Sequence, residues 1–103
     1  MKKIIGGKRY NTDTATLVGE YVYGSLGGFN RIHEGLYRTK NGSYFVAGVG
    51  NPRTRYAVSV SQNCWGGSED IYPLSPEEAF EWAQAYLEEH EIEKEFGSQI
   101  EDA

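Results

Sequence analysis

Apolar and polar positions alternate through residues 31–40, "RIHEGLYRTK". Ile32, Glu34, Leu36 and Arg38 fall on one side, and His33, Gly35, Tyr37 and Thr39 on the other. A period of two is the signature of a strand with two distinct faces. Asn41-Gly42 follows, and then "SYFVAGVG", a second run rich in strand formers. A two-residue type I′ turn is the expected link, because its central positions need positive φ and Asn-Gly supplies it cheaply. That register sets Lys40 against Ser43, Thr39 against Tyr44, Tyr37 against Val46 and Leu36 against Ala47. Register decides which side chains a sheet buries, so the turn matters well beyond its own residues.

Further stretches read as strands. "KKII" (Lys2–Ile5) opens the chain and "GGKRY" turns out of it; "NTDTA" then offers side chains that bond nearby backbone and favour a turn. "TLVGEYVYG" (Thr16–Gly24) is rich in β-branched and aromatic residues. "YAVSVS" alternates, as a strand or as the start of an irregular segment, and "QNCWGGSED" reads as a loop. "IYPL" suits a short edge strand, where Pro73 removes no ladder hydrogen bond.

The pattern changes period at Ser75. Ala79, Trp82, Ala83 and Tyr86 recur at helical spacing, with Phe80 and Leu87 broadening the stripe. Ser75 is a good N-cap, Pro76 suits the first helical position, and Glu78 completes a capping box. A second short helix, "EIEKEFG", is expected to turn Ile92 and Phe96 inward and to end at Gly97. Strands first and helices last predict an α+β fold: an antiparallel meander of about four strands, covered on one face by the C-terminal amphipathic helix. Residues 1–97 form the expected domain and 98–103 a loose acidic tail. With one helix for cover, the other sheet face is expected to stay open.

Composition narrows the function classes. The chain has 103 residues, 39% hydrophobic and 24% charged, which suits one modest globular core. No apolar run is long enough to span a membrane. Only Ile4 and Ile5 precede the first glycines, too few for the apolar core of a secretory signal, so a cytoplasmic location is expected. Cys64 is the single cysteine, which excludes an intrachain disulfide and a multi-cysteine zinc site; no metal or cofactor is expected.

The net charge of −5 is unevenly spread. Residues 1–73 carry nine Lys/Arg against five Asp/Glu, a balance of +4; residues 74–103 carry Lys94 against ten acids, a balance of −9. A solvated helix face accounts for such a segment, and so does a negative surface that docks on a basic partner. Glu77, Glu81, Glu88 and Glu89 are the candidate carboxylates, with Glu91 and Glu95 beside them. Rim charges mainly speed association, so affinity calls for an aromatic anchor as well. Trp65, flanked by Arg53, Arg55 and Tyr56, is the candidate patch, and Tyr23 is a second anchor.

Candidate chemistry is sparse. Cys64 and His33 would form a nucleophile and base if the sheet brought them together. Glu20 and Glu34 would form a carboxylate pair if they flanked a cleft. "GGKRYNT" and "GVGNPR" lack the spacing of phosphate-binding fingerprints. An alternative site for nucleic acid is a basic, tyrosine-rich sheet face holding Arg31, Arg38, Lys40, Tyr37 and Tyr44, since aromatics beside cations hold single strands.

The segments "KRYNTDTATLVGEY", "LYRTKNGSYFVAGVG", "YPLSPEEAFEWAQAYL" and "EKEFG", in that order, resemble a group of small proteins carried by bacterial plasmids, integrative elements and phages. The resemblance implies a non-enzymatic binding protein in a bacterial cytoplasm. It implies an inhibitor of a host defence nuclease or other nucleic-acid-processing protein, of the anti-CRISPR or antirestriction type. It carries no catalytic motif and assigns no residue a role.

Overall fold

The computed structural model describes residues 1–24, 31–50, 58–61, 64–66 and 68–103, with side chains over 1–24, 31–50 and 69–103. The fold is α+β. Strands β1 (Lys2–Ile5) and β2 (Lys8–Asn11) form a hairpin. Strands β3 (Thr16–Tyr23), β4 (Ile32–Arg38) and β5 (Tyr44–Gly50) follow. Then come β6 (Val58–Ser61), β7 (Cys64–Gly66) and β8 (Ser68–Leu74), and finally helices α1 (Pro76–Tyr86) and α2 (Glu89–Phe96). The main sheet is antiparallel, in the order β3-β4-β5-β8, and β6 pairs with β7 in a small sheet of its own. Cys64–Gly66, expected in a loop, is therefore a strand, and Pro73 sits on an edge strand as its chemistry requires.

Helix α1 begins as its sequence dictates. Ser75 is extended, its Oγ accepts from the Glu78 amide at 3.1 Å, and the Glu78 carboxylate accepts from the Ser75 amide at 2.9 Å. Ala79 and Ala83 are fully buried against the sheet, and Phe80, Trp82 and Leu87 close around them. Helix α2 adds Phe96, also fully buried, which stacks on Phe80 and Tyr44. Its last turn does not stop at a left-handed glycine. Gly97 keeps right-handed helical geometry, and a short 3-10 turn carries the chain through Gly97–Gln99. The α1–α2 corner comes close to β3 because residue 19 is glycine: a Cβ there would lie 2.7 Å from Leu87 and 2.9 Å from the Glu91 carboxylate.

The β4–β5 register differs by one residue from the expected one. Arg38 faces Tyr44, Tyr37 faces Phe45, Leu36 faces Val46 and Gly35 faces Ala47. The link is a three-residue loop, Lys40-Asn41-Gly42. The Gly42 amide donates to the Thr39 carbonyl at 2.9 Å, and the Thr39 amide to the Ser43 carbonyl at 2.8 Å. Only Gly42 takes positive φ, +84°, while Asn41 does not. One tight turn followed by a single left-handed residue also suits Asn-Gly, so the pair specified a hairpin without specifying its loop length. The two-residue turn with positive φ at both central positions lies elsewhere, at Gly6-Gly7 between β1 and β2 (φ +58° and +78°).

The expectation of an open second face is also corrected. Leu36 and Val46 meet the helices on one side of the sheet. On the other, Phe45, Ala47 and Ile71 form a second cluster with Tyr10 of the β1–β2 hairpin, joined by Ile5, Ala15 and Tyr37. Tyr10 meets Phe45 edge-on with ring centres 5.5 Å apart. The layers are thus helices, sheet and hairpin. The hairpin is pinned at its start by Lys3, whose ammonium lies 2.6 Å from Asp70 on β8.

Candidate partner-binding surface

The helical layer turns most of its carboxylates outward. Glu77 and Glu81 lie one turn apart on the solvent side of α1, and Glu88 and Glu89 are exposed at the start of α2. Glu93, one turn after Glu89, is exposed as well. Of these groups, Glu89 and Glu93 border a groove of about 330 Å³ between α1, α2 and the C-terminal residues. Phe80, Ile92 and Ile100 supply its apolar lining, and Glu89, Glu93 and Glu101 its charge. Ile100 is 40% exposed, a large apolar side chain left in water beside three carboxylates. An apolar centre with a charged rim is the general anatomy of a protein interface.

Two of the acids expected on this surface face inward. Glu95 is only 11% exposed and accepts hydrogen bonds from Arg38 and from the Tyr44 phenol, the latter at 2.6 Å. Glu91 accepts from the Glu88 amide at 3.2 Å and lies under Gly19. The interior pair is strong enough to move proton affinities. Burial and the hydrogen bond to Glu95 push the Tyr44 phenol up to about 12. The Glu95 hydrogen bond and charge also raise the Arg38 guanidinium.

That cluster dismantles the tyrosine-rich surface proposed for nucleic acid. Arg38 and Tyr44 are held on the helix side of the sheet by Glu95. Tyr37 lies on the opposite side, stacked on Phe45 at 5.3 Å, where burial and then the Glu20 charge raise its phenol. Arg31 is half-buried next to β4 and Lys40 is exposed at the hairpin tip. The five residues share no common surface. Of the predicted anchor patch, Arg53, Arg55 and Tyr56 lie outside the described residues, as does the side chain of Trp65, whose backbone belongs to β7. Tyr23 is 56% exposed on β3.

The enzyme candidates separate in the same way. Glu20 sits opposite Gly35 and Glu34 opposite Tyr21, so the two carboxylates project from opposite faces of the sheet and form no pair. Glu34 is buried at 1% exposure on the helix side. The sequence carried a trace of this, because Glu34 is in phase with Ile32 and Leu36. His33 instead meets Glu20, Nε2 to Oε1 at 3.6 Å, on the hairpin side and with both groups well exposed. Its proposed partner thiol, Cys64, has its side chain outside the described residues. Among the described residues no three His, Cys, Asp or Glu side chains converge as a metal-ligand set, and no helix is long and apolar enough to cross a membrane. No family model, curated protein or solved structure matches the chain.

Proposed function

We infer that the chain is a small, non-enzymatic binding protein whose helical layer engages a basic protein surface. The carrying observation is the α1–α2 groove, in which half-buried Phe80 and Ile92 and exposed Ile100 lie between Glu89, Glu93 and Glu101. Opposite charge steers encounter, and burial of the apolar lining holds the complex. Surfaces rich in lysine and arginine are typical of proteins that handle nucleic acid. Together with the resemblance to proteins of mobile elements, this favours a host defence nuclease or another nucleic-acid-processing protein in the bacterial cytoplasm as the target. Inhibition would follow from occupying the surface its nucleic acid uses.

The test is affinity capture from bacterial lysate with the wild-type chain and with an Ile100→Glu/Glu93→Lys variant, both at physiological salt. The wild type is expected to retain a nucleic-acid-processing protein and the variant to lose it. Capture of no such protein by the wild type, or equal capture by both, would overturn the reading. Both substitutions are at exposed positions, so the variant is expected to fold.

A further inference from the structure

Three basic residues, Lys8, Arg9 and Lys40, gather at the end of the sheet where two turns meet. There the β1–β2 turn and the β4–β5 tip border a cleft of about 570 Å³ lined by Gly7, Lys8, Arg9, Tyr10, Thr39, Asn41 and Ser43. Among the described residues no carboxylate lines it, in a chain whose net charge is −5. Lys40 is exposed at the same tip, between Thr39 and Asn41. Two other cations of the body are committed, Lys3 to Asp70 and Arg38 to Glu95. Among the described residues Lys8, Arg9 and Lys40 have no ion-pair partner. The lining is also stiff. Ser43 donates its amide to Thr39 Oγ1 at 3.0 Å, and the loop's backbone bonds close it further. Gly7 and Gly42 have open space where a Cβ would stand, so backbone is accessible to a ligand at both turns.

The geometry points to this cleft as a binding site for a phosphate group. The Arg9 guanidinium, the Lys8 ammonium and the donors of Thr39, Asn41 and Ser43 suit an oxyanion with several acceptor oxygens, and Lys40, outside the lining, adds positive charge at the β4–β5 tip. Tyr10 is 7% exposed, its ring committed to Phe45, so the cleft has no free aromatic platform for a base. Recognition is therefore of the phosphate and not of the sequence that carries it. The ligand is inorganic phosphate or a phosphodiester strand, and the size of the cleft admits either. This site lies on the hairpin side of the sheet and is independent of the helical-layer reading.

The experiment titrates the isotope-labelled full chain, followed by its amide resonances, with inorganic phosphate and separately with a short oligo(dT). Shifts are expected at Gly7, Lys8, Arg9, Asn41 and Ser43, with the helical acids unmoved. If the strand is the ligand, it binds tighter than phosphate, and log K falls against log salt with a slope of roughly −2, from about 0.7 per neutralised phosphate over three cations. Equal binding of both probes assigns the site to free phosphate. Lys8→Ala/Arg9→Ala is expected to weaken binding at least tenfold, and Lys40→Glu, confined to an exposed loop, gives the same direction should the double variant misfold. No shifts at low salt with either probe, or shifts unchanged in Lys40→Glu and the double variant, would overturn the assignment.

Discussion

Tyr44 donates its phenol hydrogen to Glu95 across the boundary between sheet and helix, at 2.6 Å. Arg38, opposite Tyr44 on the neighbouring strand, donates to both oxygens of the same carboxylate. One acid from a strongly acidic segment thus neutralises one cation of the basic half and fixes α2 onto β4 and β5. Removing it strands two donors. Glu95→Ala is expected to cost about 1–3 kcal/mol, moderated because Arg38 is 40% exposed and water can reach it. Urea unfolding measures this, and a midpoint equal to wild type would show the cluster to be idle.

The same cluster predicts a pH window. A phenol raised in the folded state stabilises the fold fully below the ordinary tyrosine range near 10, and that contribution disappears as pH rises through about 12. Tyr44→Phe lacks it. The stability gap between wild type and Tyr44→Phe should therefore be constant from neutral pH to about 10 and narrow above it. Parallel curves to the top of that range would contradict the shift.

On the acid side the responsible group is Asp70. The hydrogen bond from Lys3, and then the Ile71 amide at 2.8 Å, hold its carboxyl below the usual aspartate value. A depressed acid stabilises the fold above its unfolded value and stops doing so as pH falls through its folded one. Asp70→Asn should cost about 0.2–1 kcal/mol at neutral pH, the range for an exposed pair, and nothing once both values are passed. Denaturant midpoints at neutral pH and well below the aspartate range separate these outcomes.

The β4–β5 loop yields a sharper contrast. Gly42 holds φ at +84° and Asn41 does not hold a positive φ. Gly42→Ala is expected to destabilise by about 1–2 kcal/mol, while Asn41→Ala stays within about 0.5 kcal/mol. A two-residue primed turn would make both positions costly. Chemical denaturation of the two variants distinguishes the loops.

What the sequence disclosed follows from the range of the interactions involved. Ser75, Pro76 and Glu78 start α1 through bonds three residues apart, and those were legible, as were the strands with clear alternation. The three-residue loop was hidden because Asn-Gly satisfies two hairpin geometries, and the correct one sends Val46 rather than Ala47 to Leu36. Glu95 looked like one more solvated acid; only the position of β4 across the fold gives it Arg38. The pairing of Lys3 with Asp70, 67 residues away, left no local trace either. Long-range polar contacts and the cover of the second sheet face are set by tertiary geometry, which periodicity does not encode.

That cover gives the last prediction. Tyr10 is 7% exposed, edge-on to Phe45, whereas Tyr23 is 56% exposed on β3. Both are strand tyrosines, but Tyr23 pairs with Ile32 and so projects from the helix side of the sheet, an exposed control, whereas Tyr10 packs on the hairpin side. Because the β1–β2 hairpin closes that side, Tyr10→Ala removes a ring from the cluster of Phe45, Ala47 and Ile71. Its cost is expected at about 2–4 kcal/mol, against at most about 0.5 for Tyr23→Ala. Tyr10→Phe keeps the ring and should recover most of the loss. Urea unfolding of the three variants decides the matter, since similar costs at positions 10 and 23 would mean that the hairpin does not close this face of the sheet.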